Sequence, residues 1–241
     1  MARLLSWPLG LRWNRWKWLA GPEAVGASSD TTIGDFTQTI ASPFGARAMQ
    51  ITFPPLRGAP ARRARGLITA LNKGANAVRV SICDWDGMKF AEAGTSITQQ
   101  QIQDGMPFSN GLGWSNGENW QLTKPLVPVA SSAAQDATVI RLSTAFWGGL
   151  LGMGDWIGFS PLHFGLYEIT EEMETAGQYR IWPPLRKDIA SGSFSTLYPV
   201  MAMRLMANNL PDAERGPSHL ENLSISLVEV FDYDVRDYFL D

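Results

Sequence analysis

The sequence is poor in the residues that most metal and cofactor sites require. It has one cysteine, Cys83, and two histidines, His163 and His219, in 241 residues. One thiol cannot form a disulfide within the chain, so the fold does not depend on oxidation. Two histidines and one cysteine are too few for the usual zinc sites, and no phosphate-binding loop or dinucleotide fingerprint is present. We therefore predict no metal and no cofactor.

The chain also lacks the sequence marks of the common hydrolases. No Gly-x-Ser-x-Gly motif occurs, and Cys83 has no histidine near it in the sequence. The glutamates between residues 168 and 174 are more typical of a solvated turn than of a glycosidase pair. Asp84-Trp85-Asp86-Gly87 starts like a calcium loop but lacks the later ligands, so it predicts a turn. We predict that the protein is not an enzyme.

Charge is scarce, and neither sign dominates. Charged residues make up 18% of the chain, and the net charge is −3 with a pI of about 5.5. Such a chain has no general basic field for binding phosphates. No apolar run reaches the roughly 18 residues of a membrane helix. Arg12, Arg15 and Lys17 interrupt the segment that otherwise resembles a secretory signal. We predict neither nucleic acid nor a membrane as a partner.

Glycine, proline and aromatic residues are what the sequence has in abundance. There are 23 Gly, 15 Pro, 10 Trp and 11 Phe, a balance that favours short strands and turns. We predict a mainly β fold, with β-sandwich or barrel-like domains, one amphipathic helix and long surface loops. Alternating apolar residues predict strands near residues 36–40, 47–53, 77–83, 120–123, 137–143, 153–159, 165–169, 178–186, 200–206 and 224–231.

One segment has the pattern of a helix. Ala59-Pro60 is a suitable start and Gly74 a suitable stop, and the apolar residues between them recur on one face. Arginines crowd the beginning of this helix, where the helix dipole disfavours cations. The arginines indicate either carboxylates supplied by a neighbouring subunit or a solvated basic face.

Composition divides the chain into four segments. Residues 1–22 form a Trp- and Arg-rich N-terminal arm, and residues 23–87 a region with a hairpin and the helix. The hairpin pairs residues 36–40 with 47–53 through a turn at 43–45. Residues 88–120 form a polar, glycine-rich loop or insertion, and residues 121–241 a β-rich region. Residues 23–241 as one intertwined domain are the alternative.

Aromatic and basic residues supply the candidate interaction sites. The N-terminal tryptophans alternate with a few cations, which favours a protein-docking arm or an edge strand over binding to single-stranded nucleic acid or a membrane surface. Arginines of the helix and a tryptophan of the polar loop complete the set. The candidates are Trp7, Trp13, Trp16, Trp18, Arg62, Arg63, Arg65 and Trp114.

Several short strings recur in an order that resembles a known family. In the second half they are Gly154-Asp155, Leu166-Tyr167-Glu168, Pro183-Pro184-Leu185-Arg186 and Met203-Arg204-Leu205, with a last strand near Val228-Glu229-Val230. In the first half, residues 35–40 and 48–53 precede the helical segment that closes at residues 67–74. Together they resemble minor tail proteins of long-tailed bacteriophages.

The resemblance implies a structural role in a virion. It suggests a distal tail or baseplate hub protein of the tail tip, forming a ring of identical copies, a hexamer or a trimer, that joins the tail tube to the tip complex. Its partners would be itself, the tail tube and other baseplate proteins, with assembly in the host bacterial cytoplasm. The family offers no catalytic residue to transfer. The alternative is a receptor- or carbohydrate-binding tail module, because exposed tryptophans on β-sandwiches stack on sugars.

Overall fold

The chain divides into two units in the computed structural model. It describes residues 3–21, 30–31, 37–38, 45–82, 84, 86–89, 91–94, 101, 104–120, 126–161, 163–206, 212–216 and 219–231. Unit 1 consists of Met1–Ile82 and Val200–Asp241, and unit 2 of Cys83–Pro199. In chain order, unit 2 is therefore inserted into unit 1. This division differs from the boundaries predicted after residues 22, 87 and 120, because unit 1 is assembled from the two ends of the chain.

The described residues contain short strands and one α-helix. In chain order they are β1 (Leu4–Leu5), β2 (Arg15–Ala20), β3 (Asp30–Thr31), β4 (Thr37–Gln38), β5 (Ala48–Thr52), α1 (Gly58–Leu71), β6 (Ala77–Ser81), β7 (Val127–Pro128), β8 (Val139–Arg141), β9 (Trp156–Ser160), β10 (His163–Glu172), β11 (Gln178–Trp182), β12 (Phe194–Thr196), β13 (Val200–Leu205), β14 (Asp212–Arg215) and β15 (Leu220–Glu229).

Unit 1 is built on a sheet whose neighbours are distant in the sequence. The strands pair in the order β2–β5–β15–β13–β6–β1, and β14 pairs with the first half of β15. All these pairs are antiparallel except β1 with β6, which is parallel. Fully buried apolar side chains line the central strands, among them Met49, Ile51, Val78, Val80, Met203 and Leu227.

The hairpin predicted between residues 36–40 and 47–53 is wrong. Strand β5 has β2 on one side and β15 on the other, so both of its hydrogen-bonding edges are occupied. The described part of the first predicted strand, β4, instead pairs with β3. Periodicity located β5 but could not identify its partners, because they come from both ends of the chain. Residues 36 and 39–44 of the prediction lie outside the described residues.

Helix α1 confirms the helical prediction and its apolar face. Ala64, Leu67 and Leu71 are buried on that face. The helix ends where Asn72 turns into the left-handed region at φ 44°, followed by a 3₁₀ turn over Asn72–Gly74. Gly74, the predicted stop, has φ +90° and lies against the backbone of Leu205. Glycine suits both requirements, because it tolerates positive φ and has no Cβ.

Unit 2 is an antiparallel sheet with its own core. Its strands pair in the order β7–β12–β9–β10–β11–β8. The described part of this sheet is not a closed barrel, although a single bridge joins Val129, just after β7, to Leu142, just after β8. The enclosed core includes Val127, Ile140, Trp147, Ile157, Tyr167, Ile181 and Leu185. The predicted mainly β fold with one helix is confirmed for the described residues.

We predict that Gly74→Ala destabilises the protein by at least about 1–2 kcal/mol, because φ is positive and the new Cβ would lie 2.6 Å from the Leu205 carbonyl oxygen. Gly66→Ala is the matched control. Gly66 is exposed within α1 with nothing within 4 Å of a Cβ, so alanine there should stabilise by up to about 1 kcal/mol. Urea unfolding of both variants measures the difference. Equal midpoints would contradict the packing described here.

Candidate interaction surfaces

The first two N-terminal tryptophans pack into unit 1. Trp7 meets Trp13 edge to face at 5.0 Å and stacks on Phe53 at 6.2 Å between ring centroids. The Trp7 indole N–H donates to the Leu11 carbonyl at 2.6 Å, and the Leu11 side chain is buried. These two aromatic residues therefore fix the N-terminal segment to the unit, and each retains only part of its surface for other contacts.

The other two N-terminal tryptophans lie on β2, an edge strand of the described unit 1 sheet. Trp16 and Trp18 contact each other at 5.2 Å, and the Arg47 guanidinium lies 5.2 Å from the Trp18 ring centroid. The Arg47 amide donates to the Glu229 carboxylate at 3.0 Å, and the Glu229 amide donates to the Arg47 carbonyl at 2.9 Å. The arm predicted at residues 1–22 thus includes an edge strand, one of the two interpretations offered for it.

The helix arginines do not share one environment. The Arg63 guanidinium donates to the Leu9 carbonyl at 2.7 Å and so ties α1 to the N-terminal segment. Arg62 and Arg65 are exposed, one turn apart, on the side of α1 opposite its buried residues. Arg57 precedes the helix without capping it through its side chain, and no acidic residue occurs in the first turn. We name Arg57, Arg62 and Arg65 the arginine face.

Trp114 belongs to an exposed aromatic cluster on residues 104–120, the aromatic loop. Its ring centroid lies 5.3 Å from that of Phe108 and 4.9 Å from that of Trp120, and Phe108 and Trp120 are 5.9 Å apart. Trp114 and Trp120 are 46% and 50% exposed. Solvent-exposed aromatic clusters of this kind are characteristic of binding surfaces.

Backbone hydrogen bonds hold the aromatic loop in place. The amides and carbonyls of Met106 and Trp120 pair at 2.9 and 3.0 Å across its base. The Trp114 amide donates to the Glu118 carbonyl at 2.6 Å, closing a turn that contains Asn116. The Asn119 side chain donates to the Asp104 carbonyl at 2.9 Å. The cluster therefore lies on a hairpin that is held by hydrogen bonds and that also carries amide and carboxylate side chains.

A second apolar surface lies on residues 142–154 of unit 2, the glycine-rich loop. This segment has no charged residue. Leu150 and Met153 are 60% and 77% exposed, and Phe146 is also exposed. Phe146 has φ +49°, a conformation that costs a non-glycine residue about 1 kcal/mol or more. An exposed aromatic side chain held in a strained backbone conformation makes this loop a candidate binding surface.

Tyr179 of β11 holds the glycine-rich loop through two hydrogen bonds. Its hydroxyl donates to the Gly148 carbonyl and accepts from the Leu151 amide, both at 3.2 Å. Trp147 and Leu151 point into the core beside it. Burial raises the pKa of Tyr179 above its usual 10.0, an effect that the Leu151 hydrogen bond opposes and that the carboxylates of Glu172 and Asp155 reinforce.

The end of the β10–β11 hairpin is acidic. Glu171, Glu172 and Glu174 are exposed there, and we name them the acidic hairpin. Arg180 donates to Glu171 at 2.7 Å across the two strands. Because both partners are about half exposed, this ion pair contributes little to stability. The hairpin therefore presents a net negative surface, as its sequence predicts.

The two histidines have partners within their own units. His163 is buried and hydrogen-bonded to the Tyr167 hydroxyl, which also accepts the Arg186 amide at 3.0 Å. His219 pairs with Glu221 in unit 1. Among the described residues, no group of three or more His, Cys, Asp or Glu is placed to hold a metal ion. Cys83 lies outside the described residues.

Sequence reasoning identified Trp114 but missed the rest of both apolar surfaces. Phe108, Trp114 and Trp120 recur every six residues within a segment rich in Gly and Asn, a regularity that could have revealed the cluster. The charge-free stretch between Arg141 and Asp155 was the available signal for the glycine-rich loop. The eight predicted interaction residues do not form one site. They fall into the N-terminal segment, α1 and the aromatic loop.

Comparison with known proteins gives no family assignment. No protein-family model and no curated protein sequence matches this chain. Among the described residues, no helix has both the length and the apolar character needed to cross a membrane. The resemblance to phage tail proteins therefore stays a prediction.

We predict that Tyr179→Phe lowers the free energy of unfolding by about 1–3 kcal/mol near neutral pH, because it leaves Leu151 N–H and Gly148 C=O without this partner. The folded state favours the neutral phenol, since burial raises its pKa. Stability from this shift is therefore complete below the unfolded pKa of about 10 and is lost above it. Urea unfolding at several pH values should show that the free energy of unfolding of the wild type falls at alkaline pH, and that it falls less in the variant. Identical profiles would contradict this role.

Proposed function

We propose that this protein is a structural component of a bacteriophage tail tip, a distal tail or baseplate hub protein that forms a ring of identical copies. In this role it joins the tail tube to the tip complex, is assembled in the host bacterial cytoplasm and resides in the virion. It catalyses no reaction. Its partners are copies of itself, the tail tube and neighbouring baseplate proteins, in a hexameric or trimeric ring.

The observation that carries the proposal is the pair of exposed apolar loops on unit 2. Large apolar side chains on a surface are commonly covered by a protein partner, and here they lie on loops fixed by backbone hydrogen bonds and by Tyr179. Loops held in advance lose little conformational freedom on binding, which favours stable association. The order of the tail-protein motifs supports a phage tail as the place of that association.

We expect the purified full chain to form closed rings with a mass three or six times 26.5 kDa. A ring requires interfaces that close under rotation, so the mass should reach a plateau and not rise continuously with concentration. Sedimentation velocity and negative-stain electron microscopy measure mass and symmetry. A species of 26.5 kDa at every concentration would contradict the proposal.

A second candidate is a receptor- or carbohydrate-binding tail module, favoured by the aromatic loop. Trp114 and Trp120 expose ring surface on the loop that also carries Asn116, Glu118 and Asn119. Aromatic rings can stack on the apolar face of a sugar, while amide and carboxylate groups bond its hydroxyls. A cluster of tryptophans with amide and carboxylate side chains on one face would distinguish a sugar-binding module from a purely structural one.

If the aromatic loop binds glycans, Trp114→Ala should weaken binding at least about tenfold, as for the central residue of a binding surface. Leu112→Ala is the matched control, since Leu112 is exposed on the same loop but has no ring to stack. A glycan array followed by calorimetry on the best ligand measures the affinities. Equal losses in both variants, or no glycan bound by the wild type, would reject this second candidate.

A further inference from the structure

Charge is distributed unevenly along the chain, although the total is close to neutral. Unit 1, residues 1–82 and 200–241, contains fourteen Lys and Arg against eleven Asp and Glu, a formal charge of +3. Residues 83–199, which are unit 2, contain six against twelve, a formal charge of −6. Two copies of such a chain attract each other when the basic part of one meets the acidic part of the next.

The arginine face is the exposed positive surface of α1. Among the described residues, none of Arg57, Arg62 and Arg65 has an ion-pair partner. Arg57 occupies the N-cap position of α1, where the helix dipole already places positive partial charge, so its position is unfavourable. A carboxylate-bearing partner would relieve this repulsion.

The acidic hairpin of unit 2 has the complementary charge. In the described part of the chain, Glu172 and Glu174 have no cationic partner, whereas Glu171 is neutralised by Arg180. The glycine-rich loop lies next to them, because the Gly154 amide donates to the Ile169 carbonyl of β10 at 2.8 Å. A Cβ at Gly152 would lie 3.4 Å from the Glu172 carboxylate. Negative charge and exposed apolar side chains therefore form one continuous surface.

The two surfaces also differ in side-chain size. Gly66 and Ala70 are exposed on α1 near the arginines, with nothing within 4 Å of a Cβ at Gly66. Leu150 and Met153 project beside the acidic hairpin. Small residues flanked by cations thus match large apolar residues flanked by carboxylates, as in an interface with an apolar centre and a charged rim.

We propose that the arginine face of one copy binds the acidic hairpin and glycine-rich loop of a second copy. The contact joins two different surfaces, so each copy binds one neighbour through its arginine face and the other neighbour through its acidic hairpin and glycine-rich loop. Copies related by a rotation that closes on itself then form a ring. This inference rests on the proposed ring and names the surfaces that build it.

Charge reversal tests the contact in the full-length chain. Arg62→Glu with Arg65→Glu should weaken assembly at least about tenfold, and Glu172→Lys with Glu174→Lys should do the same. The quadruple variant restores opposite charges across the contact and should assemble again. Arg15→Glu with Lys17→Glu is the control, since it changes net charge equally at exposed positions of β2, outside the arginine face, the acidic hairpin and the glycine-rich loop. Sedimentation velocity reports assembly, and circular dichroism confirms that each variant is folded.

The possible results distinguish failure of the proposed contact from failure of the proposed ring. If both double variants form the same rings as the wild type, the proposed contact is wrong and the tail-ring proposal stands. A wild-type chain that never assembles would overturn both. Wild-type assembly should weaken as salt rises from about 0.05 to about 0.5 M, because exposed charges are screened. Duplex DNA binding that depends on Arg62 and Arg65, with assembly unchanged, would assign the arginine face to nucleic acid and overturn the proposal.

Discussion

The pairing of β15 with β5 and β13 is the constraint on which unit 1 depends. Residues 224–228 of β15 pair with β5, and residues 227–229 pair with β13 on the other side. This places the C-terminal part of the chain at the centre of a sheet whose edge is the N-terminal β2. Glu229 reinforces the pairing, because its buried carboxylate accepts the Arg47 amide. These contacts join segments that are distant in the sequence, so the sheet of unit 1 requires both residues 15–52 and residues 200–229.

Unit 2 combines a firm core with apolar residues left at the surface. Its core side chains are almost completely buried, and Tyr179 connects that core to the glycine-rich loop. The aromatic loop is held instead by backbone pairs at its base and tip. In both cases polar hydrogen bonds position apolar side chains that the fold itself does not bury. Because hydrogen bonds already hold these apolar side chains in place, a partner that binds them need not reorganise the loops.

Local sequence features predicted the elements that depend on local chemistry. The apolar period of residues 61–71 and the glycine at 74 gave α1, and alternation gave the central strands β5, β6, β10, β13 and β15. Strands of two or three residues such as β7 and β12 were missed, because so short a segment has no measurable period. The pairing partners of the strands could not be predicted either, because β2 and β15, which flank β5, are far from each other in the sequence. For the same reason Trp114 could be predicted while its contacts with Phe108 and Trp120 required the folded loop.

The position at which unit 2 enters and leaves unit 1 has a consequence for how this architecture varies. Strands β6 and β13 are antiparallel neighbours, and Ser81 lies directly opposite Val200. The whole of unit 2 therefore occupies the place of a hairpin turn, leaving from one residue and returning to its direct cross-strand neighbour. A host sheet interrupted in this way keeps its own register whatever domain fills the gap. Recombination could exchange the inserted module for another while the sheet of unit 1 kept its strand pairing.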